Sequence, residues 1–196
     1  MYKDYLLYVD KHPRSSIVQF DSVLGKKTDF KAILTIYFPA ANFQFGLLIQ
    51  KGNSSSVRAV LKKLFHRLGK DLVYKLFAIC LCDNGTEFSS FPDIEDFAGS
   101  QRIHTFFTTP YRSTDKSHCE RNNEFIRYVL PKGKTFNNLT QEMINDVFSN
   151  INSYVRKAKG DKTPYDLMRR RYGQEFLDTV GIRRISNKKV KLNQLI

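Results

Sequence analysis

Residues 76–88 read Leu-Phe-Ala-Ile-Cys-Leu-Cys-Asp-Asn-Gly-Thr-Glu-Phe. The run from Leu76 to Leu81 is continuously apolar and stops at Cys82-Asp83-Asn84-Gly85, the pattern of a buried strand whose carboxyl end opens into a turn. Asp83 stands at that exit. Upstream, Ile17 to Val23 is dominated by β-branched and aromatic residues and closed by Gly25 and two lysines, so it reads as a strand with Asp21 inside it. Two more apolar runs, Phe30 to Phe38 and Phe43 to Ile49, flank Pro39-Ala40-Ala41-Asn42, a spacing that suits an antiparallel hairpin. Val57, Val60, Leu61, Leu64, Phe65 and Leu68 then recur at helical spacing until Gly69, with Ser54 to Ser56 as the expected N-cap.

Downstream, Ile103 to Phe107 reads as a fifth strand, followed by a loop rich in Thr, Pro, Tyr and Arg that runs to about Ser117. From Cys119 to Leu130 the apolar Phe125, Ile126, Val129 and Leu130 share one face of a helix that Pro131-Lys132-Gly133 ends. Glu120, Asn123, Glu124 and Arg127 share another. A longer helix is expected from a Thr140 cap to about Lys157, burying Met143, Ile144, Val147, Phe148, Ile151 and Tyr154, and Thr163-Pro164 begins a further one. This order describes one α/β domain, a mixed five-stranded sheet flanked by helices over residues 17–196, with residues 1–16 as a lead segment.

The chain has 196 residues, 41% of them hydrophobic, enough for a sizeable core, and 32 Lys and Arg against 19 Asp and Glu give a net charge of +13. Most of that excess lies late. Residues 1–110 carry +4 and residues 111–196 carry +9, in clusters at Arg156 to Lys162, Arg169-Arg170-Arg171, Arg183-Arg184 and Lys188 to Lys191. Each cluster alone is usually a solvated face. Their sum favours nucleic acid as partner, because phosphate neutralisation releases counterions. An anionic membrane fits less well, since no sustained apolar stripe opposes the basic residues. Three cysteines without a C-x-x-C pair suit a reducing compartment, and the first ten residues lack the features of a secretory leader, so a cytoplasmic location is expected.

Taken singly, the acids are ambiguous: a lone strand Asp is usually structural and Asn-Gly is usually a turn. Together, Asp21, the Asp-Asn-Gly-Thr-Glu-Phe run at 83–88, and Glu120 with Arg127 two turns later resemble the DDE catalytic core of transposases and retroviral integrases. The runs Thr-Pro-Tyr-Arg-Ser (109–113), Cys-Glu-Arg-Asn-Asn-Glu-Phe-Ile-Arg-Tyr-Val-Leu-Pro-Lys-Gly (119–133), Asn152-Ser153-Tyr154 and Thr-Pro-Tyr-Asp-Leu (163–167) look like insertion-sequence transposases of the IS-thirty type. The acids are 62 and then 37 positions apart. The resemblance implies a ribonuclease-H-like fold in which Asp21, Asp83 and Glu120 are catalytic and hold two Mg2+ or Mn2+ ions. It implies cleavage and transfer of DNA strands, with transposon ends and target DNA as partners, a homo-oligomer as a further one, and nucleoid association in a bacterial cytoplasm. Carboxylates suit this work because hard oxygen ligands can hold two ions about 3.5–4 Å apart, one activating the attacking oxygen and one stabilising the leaving oxygen.

Arg127, Tyr111 and Arg112 are the candidate DNA contacts near the acids, and Arg169, Arg170 and Arg171 those of the basic half. For Tyr111 and Arg112, anchoring the loop is an equal reading. Glu87 and Glu124 read better as surface carboxylates than as extra ligands. His118, Cys119, Cys80 and Cys82 adjoin two of the acids but match no zinc spacing, and packing of buried thiols is the better account. Two departures from the family pattern stand out. The chain begins 20 residues before Asp21, leaving no helix-turn-helix for end recognition in this stretch, and Gln19-Phe20 replace a usual Trp and acidic residue. A DNA-binding, catalytically inactive remnant acting as an inhibitory module is therefore the rival expectation.

Overall fold

A computed structural model describes residues 2–89, 103–110, 115 and 117–192, with the backbone alone for 117–122. Five strands form one sheet: β1 (Ile17–Leu24), β2 (Lys31–Phe38), β3 (Phe43–Gln50), β4 (Ile79–Cys82) and β5 (His104–Phe107), in the order β3-β2-β1-β4-β5. The first three form the expected antiparallel meander, and β4 and β5 continue it in parallel. Asn42 adopts a left-handed conformation at φ 51° where the β2–β3 chain reverses, which Asn tolerates better than most residues.

Alternation along the strands splits the sheet into two apolar faces. Phe20, Phe38, Phe43 and Phe45 point to one side. There they meet Phe77 just after α3 (Lys70–Leu76), itself packed on Phe65 of α2 (Ser54–Leu68), and Phe176 of α6 (Pro164–Thr179). The other side carries α1 (Tyr2–Lys11), α4 (Ser117–Val129) and α5 (Gln141–Ser153). Gly46 in β3 is what lets α5 seat closely, since a Cβ there would lie 2.3 Å from Phe148 and 3.0 Å from Ile144. Tyr5 of α1 packs on Ile79 and Leu81 of β4 and on Phe106 of β5, so the lead segment is helical and docked on the sheet.

Several local expectations change. Asn53, not the serines after it, caps α2, accepting from the Ser56 amide at 2.9 Å. The apolar run from Leu76 divides: Leu76 ends α3, and only Ile79–Cys82 is strand. The longer helix ends at Ser153, because Tyr154 turns to extended backbone, and Tyr154 is exposed rather than buried. Cys80 and Cys82 are buried in the apolar core on the α2 side, as packed thiols should be.

Candidate functional site

The parallel ladder between β1 and β4 pairs Ile17 with Ile79, Val18 with Cys80 and Gln19 with Leu81, a constant offset of 62 positions. That offset equals the spacing of Asp21 and Asp83. Extending the register therefore sets Asp21 beside the first residue after β4, on the same side of the sheet as Gln19 and Leu81. Adjacent strands run about 4.8 Å apart, and Asp21, on the face of Gln19, points to the α4 layer, while Asp83 follows directly on the end of β4.

Each acid is fixed by its own neighbours. Asp21 accepts from the Asn123 side-chain amide of α4, Nδ2 to Oδ2, at 2.6 Å. Its backbone carbonyl takes the Thr35 hydroxyl at 3.1 Å. Asp83 closes a turn by accepting the Gly85 N–H through Oδ1 at 3.0 Å, while Asn84 reaches across to the Thr108 carbonyl at 2.8 Å. Phe88, fully buried, pins the end of that turn in the core. Gly85 lies close to both carboxylates: a Cβ there would sit 3.0 Å from Asp83 Oδ1 and 2.7 Å from Glu87 Oε2. The same geometry makes Glu87 a close neighbour of Asp83, a proximity the sequence reading did not assign.

Asn123 is itself oriented by a relay through the sheet. Gln44 of β3 donates its side-chain amide to Asn123 Oδ1 at 2.7 Å, which turns the Asn123 NH2 toward Asp21. Asn152 of α5 grips the Gln44 backbone on both sides, accepting from its N–H at 3.0 Å and donating to its carbonyl at 2.6 Å. Gln44 and Asn152 are buried. Such a satisfied buried network specifies one arrangement, because any broken link strands a polar group away from water. Nothing in the local sequence marks Gln44, since its partners are 79 and 108 residues away.

Glu120 lies on α4 one turn before Asn123, on the same helix face, and its side chain lies outside the described residues. Arg127, one turn after Asn123, folds back to donate from Nη1 to the Leu24 carbonyl at 3.0 Å. Burial lowers the Arg127 pKa below its ordinary value, and the Asp21 carboxylate opposes that shift, so the guanidinium helps balance Asp21. Among the described residues no three His, Cys, Asp or Glu side chains converge as a metal-holding group.

No protein-family model matches the chain. Over 156 residues it is 31% identical to the transposase for insertion sequence element IS4351 of Bacteroides fragilis, covering 80% of this chain and 45% of that protein. It is 30% identical over 146 residues to a probable transposase for insertion-like sequence element IS1161 of Streptococcus salivarius, covering 72% of this chain and 38% of that one. Among solved structures, the catalytic core domain of BIV integrase aligns at TM-score 0.51 and 18% identity, over 78% of this chain and 93% of that core. The HTLV-2 integrase catalytic core domain in complex with magnesium aligns at 0.51 and 19%, over 76% and 93%. The chain is a relative of insertion-sequence transposases with an integrase catalytic-core fold. It spans less than half the length of either transposase.

In this transposase-related core the remaining sequence candidates fall in different places. Tyr111 and Arg112 lie outside the described residues. Arg169, Arg170 and Arg171 are exposed on α6, the layer opposite Asp21. Arg171 borders a crevice with Ser16 and Ile17, toward the start of β1. Among the described residues no helix is long and apolar enough to cross a membrane.

Proposed function

We propose that this chain is the catalytic domain of a transposase that cleaves DNA strands and joins them to a target, using Asp21, Asp83 and Glu120 to hold divalent metal. The observation that carries the reading is the β1–β4 register, whose offset matches the spacing of the first two acids. Glu120 on the Asn123 face of α4 completes a set of hard oxygen donors suited to Mg2+ or Mn2+. The magnesium bound to the HTLV-2 core supports that choice of metal. In this reading Asp21, Asp83 and Glu120 would hold the metal together.

Bound metal supplies an activated attacking oxygen and a stabilised leaving oxygen in an in-line displacement. The chain's own residues set the frame for that chemistry. Asn123 fixes the rotamer of Asp21, and the Gly85 N–H fixes that of Asp83. Arg127 offsets one negative charge before DNA arrives. The basic excess of the later half draws the phosphate backbone toward the surface irrespective of sequence. DNA ends, target DNA and a second copy of the chain are the partners this reading names, in a cytoplasmic setting.

The test is incubation of the chain with element-end DNA, Mg2+ or Mn2+, and a supercoiled target plasmid. Nicked ends and joined products that vanish in Asp21→Asn and Asp83→Asn are expected. DNA binding without either product, in wild type as in the variants, would replace this reading with that of a DNA-binding remnant.

A further inference from the structure

α4 presents two different flanks, one polar and one aromatic. Asn123 faces Asp21, whereas Phe125, two positions on and so about 200° around the helix, faces the exit of α5. There the ring of Phe125 meets Tyr128 at 6.2 Å and Tyr154 at 6.0 Å, centroid to centroid. The Arg156 guanidinium lies 4.0 Å over the Phe125 ring and 5.3 Å from that of Tyr154. Burial lowers the Arg156 pKa, and Tyr154 and Tyr37 oppose the shift, so this arginine also lies near the row of the sheet that holds Gln44.

The outer rings of this cluster are open to solvent, while Phe125 and Arg156 beneath them are half-buried. Tyr128 is 62% exposed and Tyr154 44%, although the helical pattern would have buried Tyr154. Beside it, residues 156–162 form a loop clasped by an antiparallel bridge, with the Arg156 N–H donating to the Lys162 carbonyl at 3.0 Å. Gly160 and Asp161 take left-handed conformations at φ 66° and 56°, which close the loop tightly. It offers Lys157, Lys159 and Lys162 against the single acid Asp161. Exposed rings crossed by a planar cation and edged by lysines are what unpaired nucleotides need: faces for bases, charge for phosphates. Paired bases in duplex DNA cannot offer those faces.

We propose that Tyr128, Tyr154 and Arg156 form a seat for the unpaired bases of a DNA strand, with the 156–162 loop holding its phosphates. The seat lies one helix diameter, about 10–12 Å, around α4 from the Asp21 flank. A strand whose end is processed beside Asp21 therefore reaches it with a short single-stranded tail. This rests on the reading of DNA as substrate and adds a preference for frayed or tailed ends.

The experiment measures binding of labelled duplexes to the full chain in metal-free buffer at fixed ionic strength. The duplexes are blunt, or carry a four-nucleotide thymine tail, or carry a tail of four abasic nucleotides. Wild type should bind the thymine-tailed duplex about tenfold tighter than the blunt or abasic-tailed ones. Tyr128→Ala and Tyr154→Ala should lose most of that preference, while Tyr128→Phe and Tyr154→Phe should keep it. Changing Lys157, Lys159 and Lys162 together to Gln should flatten the salt dependence for tailed DNA. Circular dichroism checks that each variant is folded, and the Phe variants test the seat even if an Ala variant is not. Equal binding of thymine and abasic tails, or Ala variants that keep the preference, overturns the seat. Loss of self-association in the Ala variants without any change in tail preference also overturns it, making this face a contact between copies. Strand transfer without tail preference defeats the seat alone, whereas absence of all DNA binding defeats the functional reading as well.

Discussion

The side-chain amide of Asn123 donates to Asp21 Oδ2 at 2.6 Å, and its own oxygen is held by Gln44 at 2.7 Å. The first acid of the candidate site is thus oriented from a neighbouring helix, which takes its orientation from a third strand. Outer partners of this kind set ligand geometry, and their loss commonly costs tenfold to a hundredfold in metal affinity. Asn123→Ala should therefore weaken Mg2+ binding by about tenfold or more, measured by calorimetry, with a melting cost of about 1 kcal/mol in the absence of metal. Asn123→Asp should cost more without metal, since it sets carboxylate against carboxylate, and should gain more from added Mg2+. Equal Mg2+ affinity in wild type and Asn123→Ala would show that the contact is structural only.

Gln44 controls which end of Asn123 faces Asp21. In Gln44→Glu the ionised side chain can only accept, so the Asn123 amide should turn toward it and present oxygen to Asp21. Both replacements should destabilise, by about 1–3 kcal/mol for Gln44→Leu, which removes a donor from a buried network. The distinguishing result is in metal affinity at neutral pH, where Gln44→Glu should be the more damaged of the two. If Gln44→Leu binds Mg2+ no better than Gln44→Glu, the orientation of the Asn123 amide does not matter.

What was legible in the sequence follows from the range of the interactions involved. The first three strands could be bounded within a residue or so because their apolar runs are separated by turn residues such as Pro39 and Asn42. α3 was not visible, because Leu72, Val73, Leu76 and Phe77 run into the apolar residues of β4, and short apolar runs do not separate helix from strand. Asp21 and Asp83 could be paired only through a resemblance, though their 62-residue spacing proves to be the offset of a parallel ladder. Gln44 and Asn152 were invisible since they act at sequence separations of 79 and 108, where no local pattern records the contact. Tyr154 matches the helical period, yet the helix ends one residue before it.

Asp29 offers a test of fold stability away from the candidate site. Its residue is 5% exposed, and its carboxylate accepts from the Lys26 N–H at 2.7 Å, the Thr135 hydroxyl at 2.7 Å and the Phe136 N–H at 2.8 Å. Burial pushes its pKa up, but these hydrogen bonds together outweigh that and hold it below the ordinary 3.8. A depressed folded-state pKa gives stability that is present above 3.8 and lost as pH falls below it. Asp29→Asn should lower the melting temperature at pH 7, and the gap to wild type should narrow below about pH 4. A gap independent of pH would mean that the charged form is not what the three donors stabilise.

Tyr5 makes the opposite prediction at alkaline pH. Burial, with a smaller contribution from Tyr2 and against a hydrogen bond from Gln19, raises its pKa from 10.0 to about 12. Its neutral form is the one that docks α1 on β4 and β5. That contribution is complete below pH 10 and is lost as pH rises through 10 to 12, because the unfolded chain ionises first. Wild type should lose melting temperature across this window, and Tyr5→Phe should lose less of it. Parallel losses in both proteins would assign the alkaline transition to other groups.

The last prediction concerns charge at the sheet edge. Asp83 and Glu87 both crowd the position of a Gly85 Cβ, and the ladder register sets Asp21 on the adjacent strand. Gathered carboxylates repel, so either a bound cation or removal of one charge should stabilise the fold. Mg2+ should raise the melting temperature with concentration, approaching a linkage of about 2.7 kcal/mol at a hundredfold excess over its dissociation constant. Asp83→Asn removes the charge but keeps an oxygen to accept the Gly85 N–H, so the turn it closes should survive. This variant should melt at or above wild type without metal, respond less to Mg2+, and give no strand cleavage. Ionic strength must be held constant, because monovalent salt also screens the repulsion. A wild type indifferent to Mg2+, paired with an Asp83→Asn variant that melts lower, would make Asp83 a turn residue and favour the DNA-binding remnant.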